Sequence, residues 1–370
     1  MLRRIFDPVA RFVVGGLFIF SGLLKLNDPV GTEIKLEEYF HVFATDFGSF
    51  FAVFVPAAME IGFILVVLEV VLGVAVLIYY RMNITAVVLL VLIVFFTFLT
   101  FYSAAFDKVT DCGCFGDAIK LTPVQSFWKD VVLLALILHL FRYRKEYRSS
   151  LASGTGHAII AGVTVISIVL GVYAIRHLPF IDFRPYKIGN SIPEQMQPAE
   201  QPIIEYIFEK DGQEVRSLRY LPESEGYTYK ESSILNEEET VPKISDYAVA
   251  DTNGNDVTQS TFEGAKLLII IYDVSKVSTS AIDEIRALVK GLGGSDVEVM
   301  ALTASGAADF EAFRHEYQLP VSYYFADATV LKTIIRSNPG LTLWVDGVVR
   351  DKWHYNDVPN SDEVLYKGRE

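Results

Sequence analysis

The chain has 370 residues, 51% hydrophobic and 21% charged, with a formal charge of −13. Residues 1–177 hold 14 Lys/Arg against 13 Asp/Glu, and residues 178–370 hold 18 against 32, so an apolar half precedes an acidic one. This balance excludes a purely soluble enzyme, a disordered chain and a disulfide-rich module. With no basic stripe it also excludes a nucleic-acid partner.

A helix crosses the hydrocarbon core with about 20 mostly apolar residues. Five segments meet that length, near residues 9–26, 56–80, 84–106, 127–141 and 157–174. The second apolar run begins near Phe50, and Pro56 marks where an interfacial stretch hands over to the helix. Lys25 closes the first segment where a secretory signal would carry small residues, so it reads as a retained anchor. Arg3, Arg4, Arg81, Arg142, Arg144, Lys145 and Arg148 fall on one side of the five spans. The opposite loops hold Asp28, Glu33, Glu37, Glu38, Asp46, Asp107, Asp111 and Asp117 around Lys35, Lys108 and Lys120. The basic side is expected in the cytoplasm. The expected location is therefore a bacterial inner membrane, with the acidic half in the periplasm and lipid as the surroundings.

Lys25, Glu60, Glu69, Lys129 and Asp130 lie within or at the ends of the spans, where an ionisable group is costly unless paired or hydrated. Depth alone matches Lys25 with Glu60 and Lys129 with Asp130, either as structural ion pairs or as parts of a redox or ligand site. Glu69 stands nine residues beyond Glu60, about 13 Å deeper and about 180° around the helix, so the two need different partners. The stripe Phe95, Phe96, Phe98, Phe101 and Tyr102 reads as helix packing or lipid contact, with a quinone pocket as the alternative.

Between the third and fourth spans the chain reads D-C-G-C-F-G-D, and Cys112 and Cys114 are its two cysteines. Cysteines two apart close a disulfide only in some conformations, and Gly113 supplies the freedom to reach them. Such a short ring is readily reduced. Three readings stay open: a redox-active catalytic pair, a structural staple or uninvolved thiols, and two ligands of a metal site completed by His41 and nearby acids. The flanking Asp111 and Asp117 disfavour a thiolate unless Lys25 or Lys129 approaches. A relay between two cysteine pairs is not available in this chain.

C-G-C-F-G after the third span, with Arg11, Gly15, Phe18, Ser21, Gly22 and Lys25 in the first and D-P-V-G-T-E-I-K-L-E-E-Y-F from Asp28 to Phe40, resembles the DoxX/MauE membrane family. The resemblance covers roughly residues 1–145. It implies a four-helix redox-associated bundle, with Cys112 and Cys114 on the family motif. It also implies either quinone-coupled sulfur chemistry or disulfide formation in periplasmic partners. With a fifth span and an appended outer domain, the architecture is similar to DoxX-family proteins of Bacteroidetes.

A connector from Leu178 to Gly189 precedes an expected hairpin, strands near 203–209 and 214–221 turned at Lys210-Asp211-Gly212. Glu237, Glu238 and Glu239 read as a solvated loop. Strands are expected near 246–251, 266–272, 297–302 and 321–325, with helices near 280–290, 307–317 and 328–336. A hairpin of 341–345 and 348–354 closes the domain, which indicates a small α/β sandwich. This order resembles the thioredoxin-like fold, and Pro339 matches that family's cis-proline before the last hairpin, a candidate partner-binding edge. Where the family's C-x-x-C should open a helix, the chain reads S-K-V-S-T-S from Ser275 to Ser280. Without a thiolate there, this domain cannot itself exchange disulfides.

The expected organisation is a four-helix membrane domain over 1–150, a fifth transmembrane helix over 151–178, a connector with hairpin over 179–245 and a thioredoxin-like domain over 246–370. The expected function is thiol–disulfide redox chemistry by Cys112 and Cys114 facing the periplasm. Quinone is the candidate cofactor, and a thiol-containing client or an envelope membrane protein is the partner. The alternative is a non-enzymatic scaffold or accessory subunit of an envelope complex.

Overall fold

The computed structural model describes residues 2–109, 113–149, 151–236 and 240–369. Asp111, Cys112 and Glu237, Glu238 and Glu239 lie outside the described residues. The chain divides into two compact units, Met1–Arg184 and Pro185–Glu370.

The first unit is helical. Helices α1 (Leu2–Asn27), α2 (Pro29–Asp46), α3 (Ala58–Leu77), α4 (Met82–Phe106), α5 (Pro123–Arg142) and α6 (Ser153–Arg176) follow in order. Among the described residues, five segments are long and apolar enough to span a bilayer, Phe6–Asn27, Ser49–Leu77, Met82–Phe106, Pro123–Arg142 and Ser153–Arg176. This is a membrane protein. Phe12, Val91, Val132 and Val165 are exposed on the spans, as a lipid-facing surface requires. Ala10, Val14, Phe18, Val76, Leu89, Ile93, Ile137 and Leu140 form the interior.

α1 packs against α3 and α4 against α5. The first contact is close because glycines face it. A Cβ on Gly73 would stand 2.8 Å from the Gly15 carbonyl oxygen and 2.9 Å from the Ile19 nitrogen, and one on Gly22 would stand 3.1 Å from the Val70 nitrogen. Small residues that let backbones approach are the usual means of helix association in lipid. Arg11, Gly15, Phe18, Gly22 and Lys25 recur every three or four residues and so lie on one helical face.

The stretch after Asn27, read from its charges as a loop, is instead helix α2. Asp28 caps it, accepting from the Gly31 N–H at 2.9 Å, and Pro29 opens it. Leu36, Tyr39, Phe40 and Phe43 give it a buried stripe at helical spacing. A 3-10 segment, Ser49–Ala57, precedes α3 and contains Pro56. Thr122 and Gln125 form a capping box at the start of α5.

The described residues of the second unit hold two sheets. Strands β1 (Ile204–Lys210), β2 (Gln213–Ser217) and β3 (Thr228–Ile234) form an antiparallel sheet in the order β2-β1-β3. β3 was not expected, because T-Y-K-E-S-S-I is exposed along its whole length and carries no apolar alternation. Strands β4 (Ala265–Ile271), β5 (Val297–Thr303), β6 (Ser322–Phe325), β7 (Gly340–Val345) and β8 (Val348–His354) form a sheet in the order β6-β5-β4-β7-β8. β4, β5 and β6 run parallel, and β7 and β8 antiparallel to their neighbours.

A helix of one turn, α7 (Ile192–Gln195), precedes these sheets. Helices α8 (Ile282–Gly291), α9 (Ala307–Glu316) and α10 (Ala328–Ile334) alternate with β4 to β7, and α11 (Ser361–Lys367) follows β8. Leu267 to Ile271 are all fully buried, so β4 is covered on both faces, as the centre of an α/β sandwich must be. Tyr186, Tyr247, Phe262 and Trp344 form an aromatic cluster in the same unit. The strand expected near 246–251 reduces to single bridges from Ala250 to Asp256 and Phe325.

Candidate functional site

Several polar groups of the membrane unit line one cavity. It encloses about 80 Å³, room for several waters, and its wall includes Ser21, Lys25, Lys35, Tyr39, Glu69, Thr100, Cys114, Lys129 and Asp130. Leu17, Phe18, Leu65, Val66, Ile93 and Phe96 supply the apolar remainder.

Two ion pairs lie in this wall. Lys25 Nζ is 2.7 Å from Glu69 Oε1, and Lys129 Nζ is 2.7 Å from Asp130 Oδ1. Asp130 also accepts from Thr100 Oγ1 at 3.0 Å. Glu69 retains only 3% side-chain exposure and Asp130 2%, so their charges depend on these partners. The match of Lys25 with Glu60 is corrected: Lys25 pairs with Glu69, and Glu60 is exposed and outside the cavity. A helical side chain points back toward the N-terminus of its own helix. The Lys25 stem therefore runs along α1 toward the Gly22 crossing, where Glu69 stands. Glu60, half a turn around α3 from Glu69, faces away.

Cys114 reaches the cavity on a tight turn. Gly113 and Gly116 both have positive φ, +63° and +57°, and the Gly116 N–H donates to the Gly113 carbonyl at 3.1 Å. A Cβ on Gly113 would lie 3.1 Å from Lys35 Cγ, so the turn sits directly against α2. Ser21 Oγ is 2.9 Å from the Cys114 carbonyl oxygen and 3.0 Å from Glu69 Oε2. Phe115 is buried, with Lys129 Nζ 5.3 Å from its ring centre. Lys25, Glu69, Lys129, Asp130 and Cys114 thus share one chamber, and Cys112 lies outside the described residues. Ser21, Lys35 and Thr100 were not singled out as chemical groups; Ser21 stood in the first-span pattern, four residues before Lys25.

Phe96 lines the cavity, while Phe98 and Phe101 are exposed and Tyr102 is buried against Phe43. The aromatic stripe therefore does not form one pocket. The lysines of the cavity wall each meet one carboxylate, Lys25 that of Glu69, Lys129 that of Asp130 and Lys35 that of Glu38 at 3.1 Å, and each ammonium keeps further N–H donors. The Tyr39 hydroxyl pairs with Ser103 at 2.7 Å. Among the described residues, no three His, Cys, Asp or Glu side chains gather as a metal-binding group.

Residues 3–142 match the family model of the methylamine utilisation protein MauE. The first unit carries a MauE membrane domain. The chain is also 25% identical over 164 residues to Protein TlpB of Flavobacterium psychrophilum, a match covering 43% of this chain and 41% of the relative. The chain thus matches less than half the length of that relative. A solution structure of a putative thioredoxin from Neisseria meningitidis matches 33% of the chain and 84% of its own, at 12% identity and a TM-score of 0.27. A secreted disulfide oxidoreductase of Mycobacterium tuberculosis matches 34% of the chain and 95% of its own, at 12% identity and a TM-score of 0.27.

The sheet-containing unit resembles thioredoxin-like folds in its strand order and closing hairpin. The Asn338–Pro339 bond is cis. Pro339 is itself buried, however, and the Asn338 carbonyl accepts from the chain's own Ser278 N–H at 2.8 Å. The S-K-V-S-T-S segment begins in a 3-10 turn, Val274–Lys276, capped by Asp273, which accepts from the Ser275 N–H at 2.9 Å.

Proposed function

We propose that this chain is a membrane thiol–disulfide redox protein whose Cys112 and Cys114 exchange a disulfide with client thiols on the extracytoplasmic side. The observation that carries this reading is the placement of Cys114. It stands on a glycine turn in the wall of a charged chamber that Lys25, Lys35 and Lys129 also line. A cation near a sulfur stabilises its thiolate, which is the leaving group when a client thiolate attacks the pair.

The proposed step balances without a further reagent. A client thiolate attacks one sulfur of the Cys112–Cys114 disulfide and releases the other as a thiolate. A second client thiolate then displaces the first enzyme sulfur. The client leaves as a disulfide, and the pair is left as a dithiol. The excess of Lys and Arg on the opposite loops supports a cytoplasmic N-terminus and an extracytoplasmic cysteine loop in a bacterial inner membrane.

The thioredoxin-like unit acts as a docking module in this scheme. The capped S-K-V-S-T-S turn favours that role, since it offers no sulfur to a client. The competing reading, an envelope scaffold, draws on the same turn and on the lack of any second cysteine pair.

Differential alkylation of intact cells tests the proposal. The pair is expected to change oxidation state with client load, and Cys112→Ser with Cys114→Ser is expected to stop client oxidation. A pair held in one state under every condition, with wild-type client oxidation in the double variant, establishes the scaffold reading instead.

A further inference from the structure

The chain leaves α6 at Arg176 and continues as an irregular segment over residues 179–184. α6 has 24 residues, about 36 Å of helix against a hydrocarbon core of about 30 Å, so this segment starts at the bilayer surface. Three large apolar side chains stand exposed on it, Phe180 at 53%, Ile181 at 58% and Phe183 at 41%. Phe180 stacks on Tyr173 of α6 with ring centres 4.8 Å apart, and Tyr173 is itself exposed. The patch is therefore continuous with the lipid-facing surface of the last span.

An irregular backbone is costly beside lipid unless its N–H and C=O groups are satisfied within the protein. Asn27, the last residue of α1, does this at the centre of the segment. Its Oδ1 accepts from the Ile181 N–H at 2.9 Å, and its Nδ2 donates to the Ile181 carbonyl at 2.8 Å. Pro179 has no N–H to satisfy, and the Arg184 N–H donates to Asp182 Oδ1 at 3.1 Å. The two charges of the segment also answer each other, with Arg184 Nε 2.7 Å from that same oxygen. The segment thus turns apolar side chains outward while these polar groups are paired within the protein. A connector that faced water would show the reverse.

We propose that residues 179–183 are an interfacial anchor, laid into the lipid headgroup layer and buckled to α1 by Asn27. Aromatic rings at a membrane–water interface are a general device for fixing depth. The anchor also sets the depth of the cysteine loop. Leu24 of α1, the α2 cap Asp28, Asp117 and Ala118 of the 3-10 turn Gly116–Ala118, and Ile181 and Phe183 line one small pocket. The turn that follows Cys114 therefore lies level with the anchor, at the lipid surface, where a client in the aqueous phase meets it. That use of the depth rests on the redox reading above; the lipid contact does not.

The test uses the full chain in phosphatidylcholine vesicles whose lipid is brominated either near the headgroup end of the acyl chain or near its tip. Bromine quenches indole emission on contact. Trp128, exposed on α5, is first removed by Trp128→Phe, while the buried Trp344 and Trp353 supply a constant background. The indole added by Phe180→Trp is expected to lose roughly half its emission to bromine near the headgroups and little to bromine at the tip. Val165→Trp, exposed midway along α6, is expected to show the opposite order. Asn27→Ala removes both hydrogen bonds to Ile181 and should cut the quenching of Phe180→Trp by about half. Unchanged quenching of Val165→Trp in that background shows the bundle still folded.

An indole at Phe180→Trp that is unquenched in both lipids overturns the inference, and leaves a protein surface as the cover of this patch. Tip quenching equal to that of Val165→Trp overturns it as well, because the segment then lies in the hydrocarbon core. Unchanged quenching of Phe180→Trp in Asn27→Ala overturns the part given to Asn27. None of these readouts involves sulfur, so the alkylation experiment decides the redox reading separately.

Discussion

Lys25 Nζ and Glu69 Oε1 meet at 2.7 Å across the contact between α1 and α3, with side-chain exposures of 11% and 3%. This pair joins the first span to a buried acidic residue of α3, and its worth depends on both partners being present. Removing one leaves a buried charge without compensation. Glu69→Ala is expected to destabilise the folded protein by about 3–5 kcal/mol. Replacing both residues with apolar ones of similar volume is expected to cost much less. Denaturant titrations of both variants in detergent check this, and equal losses would show that the charges act independently.

The approach of α1 to α3 depends on Gly73. Its missing Cβ makes room for the backbone of Gly15 and Ile19, which lack the freedom of a side-chain tip to move aside. Gly73→Ala should force the helices apart and cost about 1–3 kcal/mol. A thermal unfolding shift measured beside Gly16→Ala, where a Cβ meets nothing within 4 Å, separates crowding from helix propensity.

The second unit is predicted to be chemically silent toward thiols. Substituting Ser275, Ser278 and Ser280 with alanine should leave the oxidation state of the Cys112–Cys114 pair unchanged in cells. Alkylation followed by mass measurement reads this. A shifted oxidation state would give that segment a part in the exchange.

The turn after β-bridge residue Ala250 should weaken in acid. Asp251 is held below the ordinary carboxylate range, first by the Asn255 side chain and then by backbone N–H groups of Asn255 and Asn253. A depressed carboxylate contributes stability above its unfolded pKa, about 3.9, and loses it as pH falls through the lower folded value. Amide exchange at Asn253 and Asn255 should therefore accelerate on acidification relative to unfolded-chain rates. Asp251→Ala should remove that pH dependence.

Much of the fold was legible because its signals are local. Unbroken apolar length marks a span, and the alternation of apolar strands with amphipathic helices marks the α/β unit; α8, α9, β5, β7 and β8 lie within two residues of their expected ends. The failures have physical causes as well. α2 hides its apolar stripe among acids, β3 is polar on both faces, and the strand expected near 246–251 lies where only isolated pairing forms.

Residue chemistry by itself determined that this chain crosses a membrane, that its cysteines sit in one glycine-containing loop, and that its second unit lacks a thiol nucleophile. Hydropathy, covalent reach and residue type are properties of short segments. Tertiary structure alone decided that Lys25 answers Glu69 and not Glu60, and that Ser21 stands between Glu69 and the Cys114 carbonyl. Those partners are 44, 48 and 93 residues apart in sequence. What brings them together is the glycine-lined crossing of two helices, whose register no single segment encodes.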